Sequence, residues 1–151
     1  MILNKFEQAS LIERLNMVKF LTMNNVISFD FTPIRGYQKH DGTYSTSRID
    51  VLYECKVRKI NSFDYDEVYI DETKYKYLID EAKKQNRIPY LFIFYKNNKV
   101  LTINLRKTTP RIGDQETNRY TMVNNDDKEI SRVAYFKINN NDLNNHNTIY
   151  N

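Results

Sequence analysis

The 151-residue chain holds a single cysteine, which excludes an internal disulfide and a cysteine-based zinc site. Only two histidines occur, His40 and His146, too few and too far apart in sequence to suggest a histidine-rich metal site. Tryptophan is absent, and twelve tyrosines take its place. With three glycines and three prolines, most turns must be built from Asn, Asp and Ser. There is no Gly-rich phosphate loop, and no Ser/His/Asp arrangement stands out. No apolar run reaches the roughly 20 residues that a membrane-spanning helix needs. The N-terminus lacks the basic-then-apolar layout of a signal peptide. These absences predict a cytoplasmic protein with no membrane partner.

What remains is ordinary for a globular protein: 40% hydrophobic and 28% charged residues, in a length that suits one domain. The net charge is +4 and the pI near 9.0, compatible with a polyanionic partner without requiring one. The abundance of Asn, Lys, Ile and Tyr suggests an AT-rich coding sequence, as in a phage or a low-GC bacterium. A phage origin would place the protein in the host cytoplasm or the virion. No repeat or internal boundary is visible, so residues 1–138 read as one domain and 139–151 as an Asn-rich, frayed tail.

Residues 4–25 predict a helix, with Asn4 and Glu7 as a capping box and Leu11, Leu15, Val18 and Leu21 as its apolar stripe. A short β-prone run follows, Val26 to Phe31. Turns are expected through residues 33–47. The stretch Arg48–Lys59 alternates apolar and charged residues almost without exception and predicts a half-buried strand. An irregular acidic segment comes next. A second helix is expected over residues 71–86, with acids at its start and lysines at its end. Ile88–Tyr95 is nearly all apolar, as in a central strand buried on both faces. A turn at Lys96–Lys99 leads into a returning strand, residues 107–129 are polar and unassigned, and residues 131–138 form a last strand.

The charged face of the strand at 48–59 carries the chemistry. Glu54 and Lys56 are two apart and share a face at about 6–7 Å. Hydrolysis of a phosphodiester needs carboxylates to hold a divalent metal and a neighbouring ammonium to stabilise charge or orient water. Glu54 and Lys56 supply one of each, and a second carboxylate must come from elsewhere. Cys55 points to the opposite, apolar face and reads as core.

Glu54-Cys55-Lys56, on an alternating strand preceded by a helix and followed by a helix and further strands, resembles the E-x-K half of the PD-(D/E)xK phosphodiesterase superfamily. The resemblance covers about residues 4 to 105. It implies an α/β fold with a mixed central sheet flanked by helices, the restriction-endonuclease-like αβββαβ core. It implies Mg²⁺ or Mn²⁺ as cofactor and a nucleic acid, DNA in the first place, as substrate. A homodimer or a protein partner would help it to cut a duplex. The rival is a protein that keeps this fold without turnover, binding nucleic acid or serving as a phage structural or accessory component.

The family's upstream aspartate has three candidates here. Asp50 shares a face with Glu54 but lies about 13 Å away along the strand, too far for a shared metal. Asp41, thirteen positions before Glu54, leaves room for one short strand, a turn and a return. Asp30 lies further upstream. The spacing of Asp41 resembles the family's, so the resemblance implies Asp41 and Glu54 as metal ligands, with Asp30 as the alternative to Asp41, and Lys56 as the group that orients water. His40 precedes Asp41 where the family often has proline. Some members add a glutamate from the first helix; Glu13 is the choice here, ahead of Glu7. Lys74 matches a lysine on the helix after the motif, and Arg58 shares the face of Lys56, so both are expected to contact the nucleic-acid backbone. Tyr37 and Tyr44 flank Asp41 and are the tyrosines placed to stack on a base.

Overall fold

Helix α1 (Lys5–Met23) starts where the capping box predicts: the Asn4 side chain accepts the Glu7 amide at 2.8 Å, and the Glu7 carboxylate accepts the Asn4 amide at 3.0 Å. Its inward face differs from the expected stripe. Met17 and Leu21 are buried, whereas Leu11 and Leu15 remain 39% and 42% exposed. Buried Asn16 explains the rotation, because its side chain donates to the Ile149 carbonyl and accepts the Ile149 amide, both at 2.8 Å. The helix therefore turns a polar residue inward to hold the end of the chain.

This computed structural model describes residues 2–33, 39–118 and 128–150, and Tyr37 lies outside them. Strands β1 (Ser28–Phe31), β2 (Gly42–Ser45) and β3 (Asp50–Arg58) form an antiparallel meander. β4 (Glu67–Asp71) and α2 (Glu72–Lys84) then carry the chain across to β5 (Ile88–Tyr95), which pairs with β3 in parallel. β6 (Lys99–Asn104) returns antiparallel to β5 through a hairpin, so the large sheet runs β1-β2-β3-β5-β6 and ends in β9 (Leu143–Asn145). β7 (Arg111–Asn118) and β8 (Lys128–Lys137) join β4 in a second, three-stranded sheet ordered β4-β8-β7.

The large sheet is covered on both sides. On one face Met17 and Leu21 of α1 pack on Val51, Tyr53, Cys55, Phe92 and Phe94. On the other, Leu78 and Ala82 of α2, with Ala134 and Phe136 of β8, pack on Leu52, Leu91 and Ile93. Burying each large apolar side chain stabilises the fold by about 1.5–3 kcal/mol before chain entropy is counted. β3 is accordingly buried on both faces from Val51 to Cys55, not half-solvated as its alternation suggested. Glu54, Lys56 and Arg58 occupy the end of this covered strand where β2 no longer runs beside it.

The C-terminal residues pack in place of fraying. β9 pairs with β6, the buried His146 ring donates through Nε2 to Asn16 Oδ1 at 3.1 Å, and the Thr148 hydroxyl donates to the Tyr95 carbonyl at 2.7 Å. No helix among the described residues is long and apolar enough to cross a membrane.

Candidate active site

β3 delivers Glu54 and Lys56 to one face, as their spacing predicts, and they meet: Lys56 Nζ lies 3.0 Å from Glu54 Oε1. Lys74, from the first turns of α2, approaches the same oxygen at 3.3 Å. The Glu54 side chain is only 3% exposed, and its other oxygen, Oε2, is buried with no hydrogen-bond partner among the described residues. Burial works against the charge on Lys56, but the Glu54, Glu13 and Asp41 carboxylates outweigh it and hold the ammonium protonated.

Asp41 stands immediately before β2. The antiparallel register pairs Gly42 with Tyr53, and the Asp41 amide donates to the Tyr53 carbonyl at 2.9 Å. Beyond that point β2 has left the sheet edge, so the next outward amide of β3, that of Cys55, has no strand to bond. The Asp41 carboxylate takes it at 2.8 Å. This fixes the aspartate beside the E-x-K segment and satisfies a donor that would otherwise be orphaned.

Glu13 reaches the same place from α1. One oxygen each of Glu13 and Asp41 and the Cys55 sulfur lie within 4.8 Å of one another. Burial pushes the Glu13 carboxyl up to about 7; Lys56 pulls it back, and Asp41 and Glu54 push it further. Asp41 is pushed up to about 6, first by burial and then by the Glu54 charge, against the Cys55 amide and the lysines. Two carboxyls raised this far beside a third acid form a site of excess negative charge. A divalent cation fits it, because hard carboxylate oxygens suit Mg²⁺ or Mn²⁺ and Glu54 Oε2 lacks any other partner. Cys55 is fully buried, and burial holds its thiol well above its ordinary range, so it remains a core residue.

The other expected residues divide. Asp50 is exposed and accepts the Ser45 hydroxyl at 2.5 Å, and Asp30 is exposed on β1, so neither joins the cluster. Glu7 caps α1. Arg58 is exposed at the end of β3, on the side of Lys56. Lys74 points at Glu54 and also donates to the Lys39 carbonyl at 2.6 Å, so it belongs to the site. Tyr44 corrects the expectation of a stacking residue. It is 5% exposed, packed against Tyr53 and Phe92, because β2 turns that face towards α1.

Sequence reasoning missed the residues that hold Asp41 from behind. Thr32 donates its hydroxyl to the His40 carbonyl at 2.7 Å, and its amide bonds the Asp41 carbonyl at 3.0 Å. The buried His40 ring meets the Tyr77 hydroxyl of α2 at 3.0 Å. Gly42 was expected in a turn, yet it lies in a strand. A methyl group there would run into the Asp30 carbonyl and the Tyr53 hydroxyl. None of these pairings has a local signature, since each joins residues of different segments, from eight positions apart for Thr32 and His40 to 37 for His40 and Tyr77.

A similar fold occurs in a solved structure. The 1.6 Å structure of Hjc, a Holliday junction resolvase from the archaeal hyperthermophile Archaeoglobus fulgidus, superposes with a TM-score of 0.55. The match covers 89% of this chain and 85% of that one, at 14% sequence identity. The chain shares the fold of that resolvase, a mixed α/β domain of the restriction-endonuclease-like type. No family model and no curated protein matches the sequence. β4 lies between the strand that carries Glu54 and Lys56 and the crossover helix, and with β7 and β8 it builds the second sheet.

Proposed function

We propose that the protein is a metal-dependent nuclease that hydrolyses phosphodiester bonds in DNA. The observation that carries this is the meeting of the Glu13 and Asp41 carboxylates beside Cys55 on β3, close enough to the Glu54–Lys56 pair for both of its charges to act on them. Asp41, Glu54 through its unpartnered Oε2, and Glu13 would hold Mg²⁺ or Mn²⁺. The metal would polarise a phosphoryl oxygen and lower the pKa of bound water. Lys56, kept charged by three carboxylates, would orient the attacking water and stabilise charge developing on phosphorus. Lys74 holds Glu54 and the residue-39 carbonyl together and so positions both sides of the site. The Archaeoglobus fulgidus neighbour is a Holliday junction resolvase, which puts branched DNA among the substrates to try first.

A second reading is a nuclease-fold protein that binds DNA without cutting it, as a phage structural or accessory component among other roles. It draws on the two ammonium groups already paired with Glu54 Oε1. One assay separates the two. Plasmid, linear, branched and single-stranded DNA and RNA are incubated with Mg²⁺, Mn²⁺ or EDTA, using wild type, Asp41→Asn, Glu54→Gln and Lys56→Ala. Metal-dependent cutting that disappears in all three variants supports the nuclease. Binding with no cutting under any metal supports the second reading.

A further inference from the structure

The face of β3 that carries Glu54 and Lys56 continues to Arg58 and opens there into a cleft of about 440 Å³ between the end of the large sheet and the second sheet. That volume falls within the about 300–1,000 Å³ of pockets that take small ligands. Its walls are aromatic: Tyr65 and Tyr69 are 67% and 37% exposed, and Tyr135 stands edge-on to Tyr69 at 5.7 Å between ring centres. Tyr95 closes the floor, and its hydroxyl is buried without a hydrogen-bond partner among the described residues. With that hydroxyl sealed from solvent, the exposed rings of Tyr65 and Tyr69 are the surfaces an occupant would meet.

The charges around the cleft select among occupants. Asp66 and Glu67 line it and would repel a phosphate, while Arg58 at the mouth makes no ion pair among the described residues and would repel a cation. An uncharged, flat group with hydrogen-bonding edges suits both constraints. We propose that this cleft receives an unpaired nucleobase of the bound nucleic acid, with Arg58 on the adjoining phosphate and the scissile phosphate at Lys56. Arg58 and Lys56 are about 6–7 Å apart at strand rise, so consecutive parts of one strand can meet both. Tyr65 and Tyr69 stack on the base, as aromatic side chains do on unstacked bases of any sequence. The inference rests on the nuclease reading for its substrate class and adds that the substrate carries unpaired nucleotides.

The test is binding in EDTA, where nothing is cut and the acid cluster acts alike on every probe. Two labelled duplexes of one sequence are compared, one fully paired and one with a single bulged 2-aminopurine. The expected result is tighter binding of the bulged probe, with a change in its fluorescence on binding. Tyr65→Ala and Tyr69→Ala should each weaken the bulged probe about fivefold or more and leave the paired one unchanged. Both rings are exposed enough to be truncated without unfolding the domain. Equal affinity for the two probes, or a preference untouched by the tyrosine variants, overturns the proposal. A protein that cuts with Mg²⁺ but shows no preference sinks the cleft alone. One that never cuts yet keeps the preference sinks only the nuclease reading.

Discussion

The Asp41 carboxylate accepts the Cys55 amide at 2.8 Å, so the proposed metal ligand also completes the hydrogen bonding of β3. One side chain has two separable duties. Asp41→Ala should abolish activity and destabilise the fold by about 1–3 kcal/mol, because it orphans a buried amide. Asp41→Asn keeps an acceptor oxygen and loses the charge. It should be inactive yet melt within about 1 kcal/mol of wild type. Equal melting of the Ala variant and wild type would show that the Cys55 amide finds another partner.

The raised carboxyls make metal-free stability depend on pH. Glu13 and Asp41 bind protons more tightly folded, near 7 and 6, than at their ordinary values of 4.5 and 3.8. The folded state therefore takes up protons first, and these groups add stability as pH falls from about 7 towards 4. A divalent cation competes with those protons, so Mg²⁺ should raise the melting temperature more at pH 7.5 than at pH 5.5. Glu13→Gln should flatten both trends. Calorimetry with and without Mg²⁺ checks this, and a shift on Mg²⁺ addition that is equal at the two pH values would count against a shared metal.

The strand bearing Glu54 and Lys56 was legible because alternation over eleven residues permits one register, and a spacing of two puts both on one face. Helix α2 was legible from its charge order, and it ends in Lys83 and Lys84 as expected. What escaped depends on tertiary contact. β7, with the sequence RIGDQETN, is a largely polar strand held by its ladder to β8, so it lacks the apolar period that marks buried strands. The Asn-rich tail gains order from Asn16 and His146, 130 residues apart, a pairing no local window contains. Tyr44 failed as a surface residue because sequence cannot say which face of a short strand α1 will cover.

His146 tilts stability the opposite way from the acid cluster. Burial, with Lys19 adding to it, lowers its pKa to about 4 from the usual 6.5. The unfolded chain then takes the proton first, and stability is lost as pH falls from about 6.5 to 4. The loss reaches up to about 3 kcal/mol if the buried ring stays neutral throughout. His146→Gln should cost stability at pH 7 through the lost Asn16 contact and the packing on Phe94, while removing this acid-side slope. Melting curves from pH 7 to 4.5 decide it; unchanged slopes in the variant would assign the acid sensitivity elsewhere.

Gly42 offers a way to move Asp41 without changing its chemistry. An added methyl would meet the Asp30 carbonyl and the Tyr53 hydroxyl, one of them backbone in the neighbouring strand, so the strand itself must shift. Gly42→Ala should destabilise by about 1–3 kcal/mol, the usual cost of overpacking. The displacement falls one residue from Asp41, whose carboxylate must stay within reach of both the Cys55 amide and the metal. Activity should therefore drop at temperatures where the variant is still fully folded. Tyr53→Phe removes the hydroxyl and leaves the ring carbon behind it at 2.9 Å, so combined with Gly42→Ala it should recover part of both stability and activity. A Gly42→Ala protein with wild-type activity below its melting temperature would mean that the site tolerates movement of Asp41, and that Glu54 and Glu13 suffice to hold the metal.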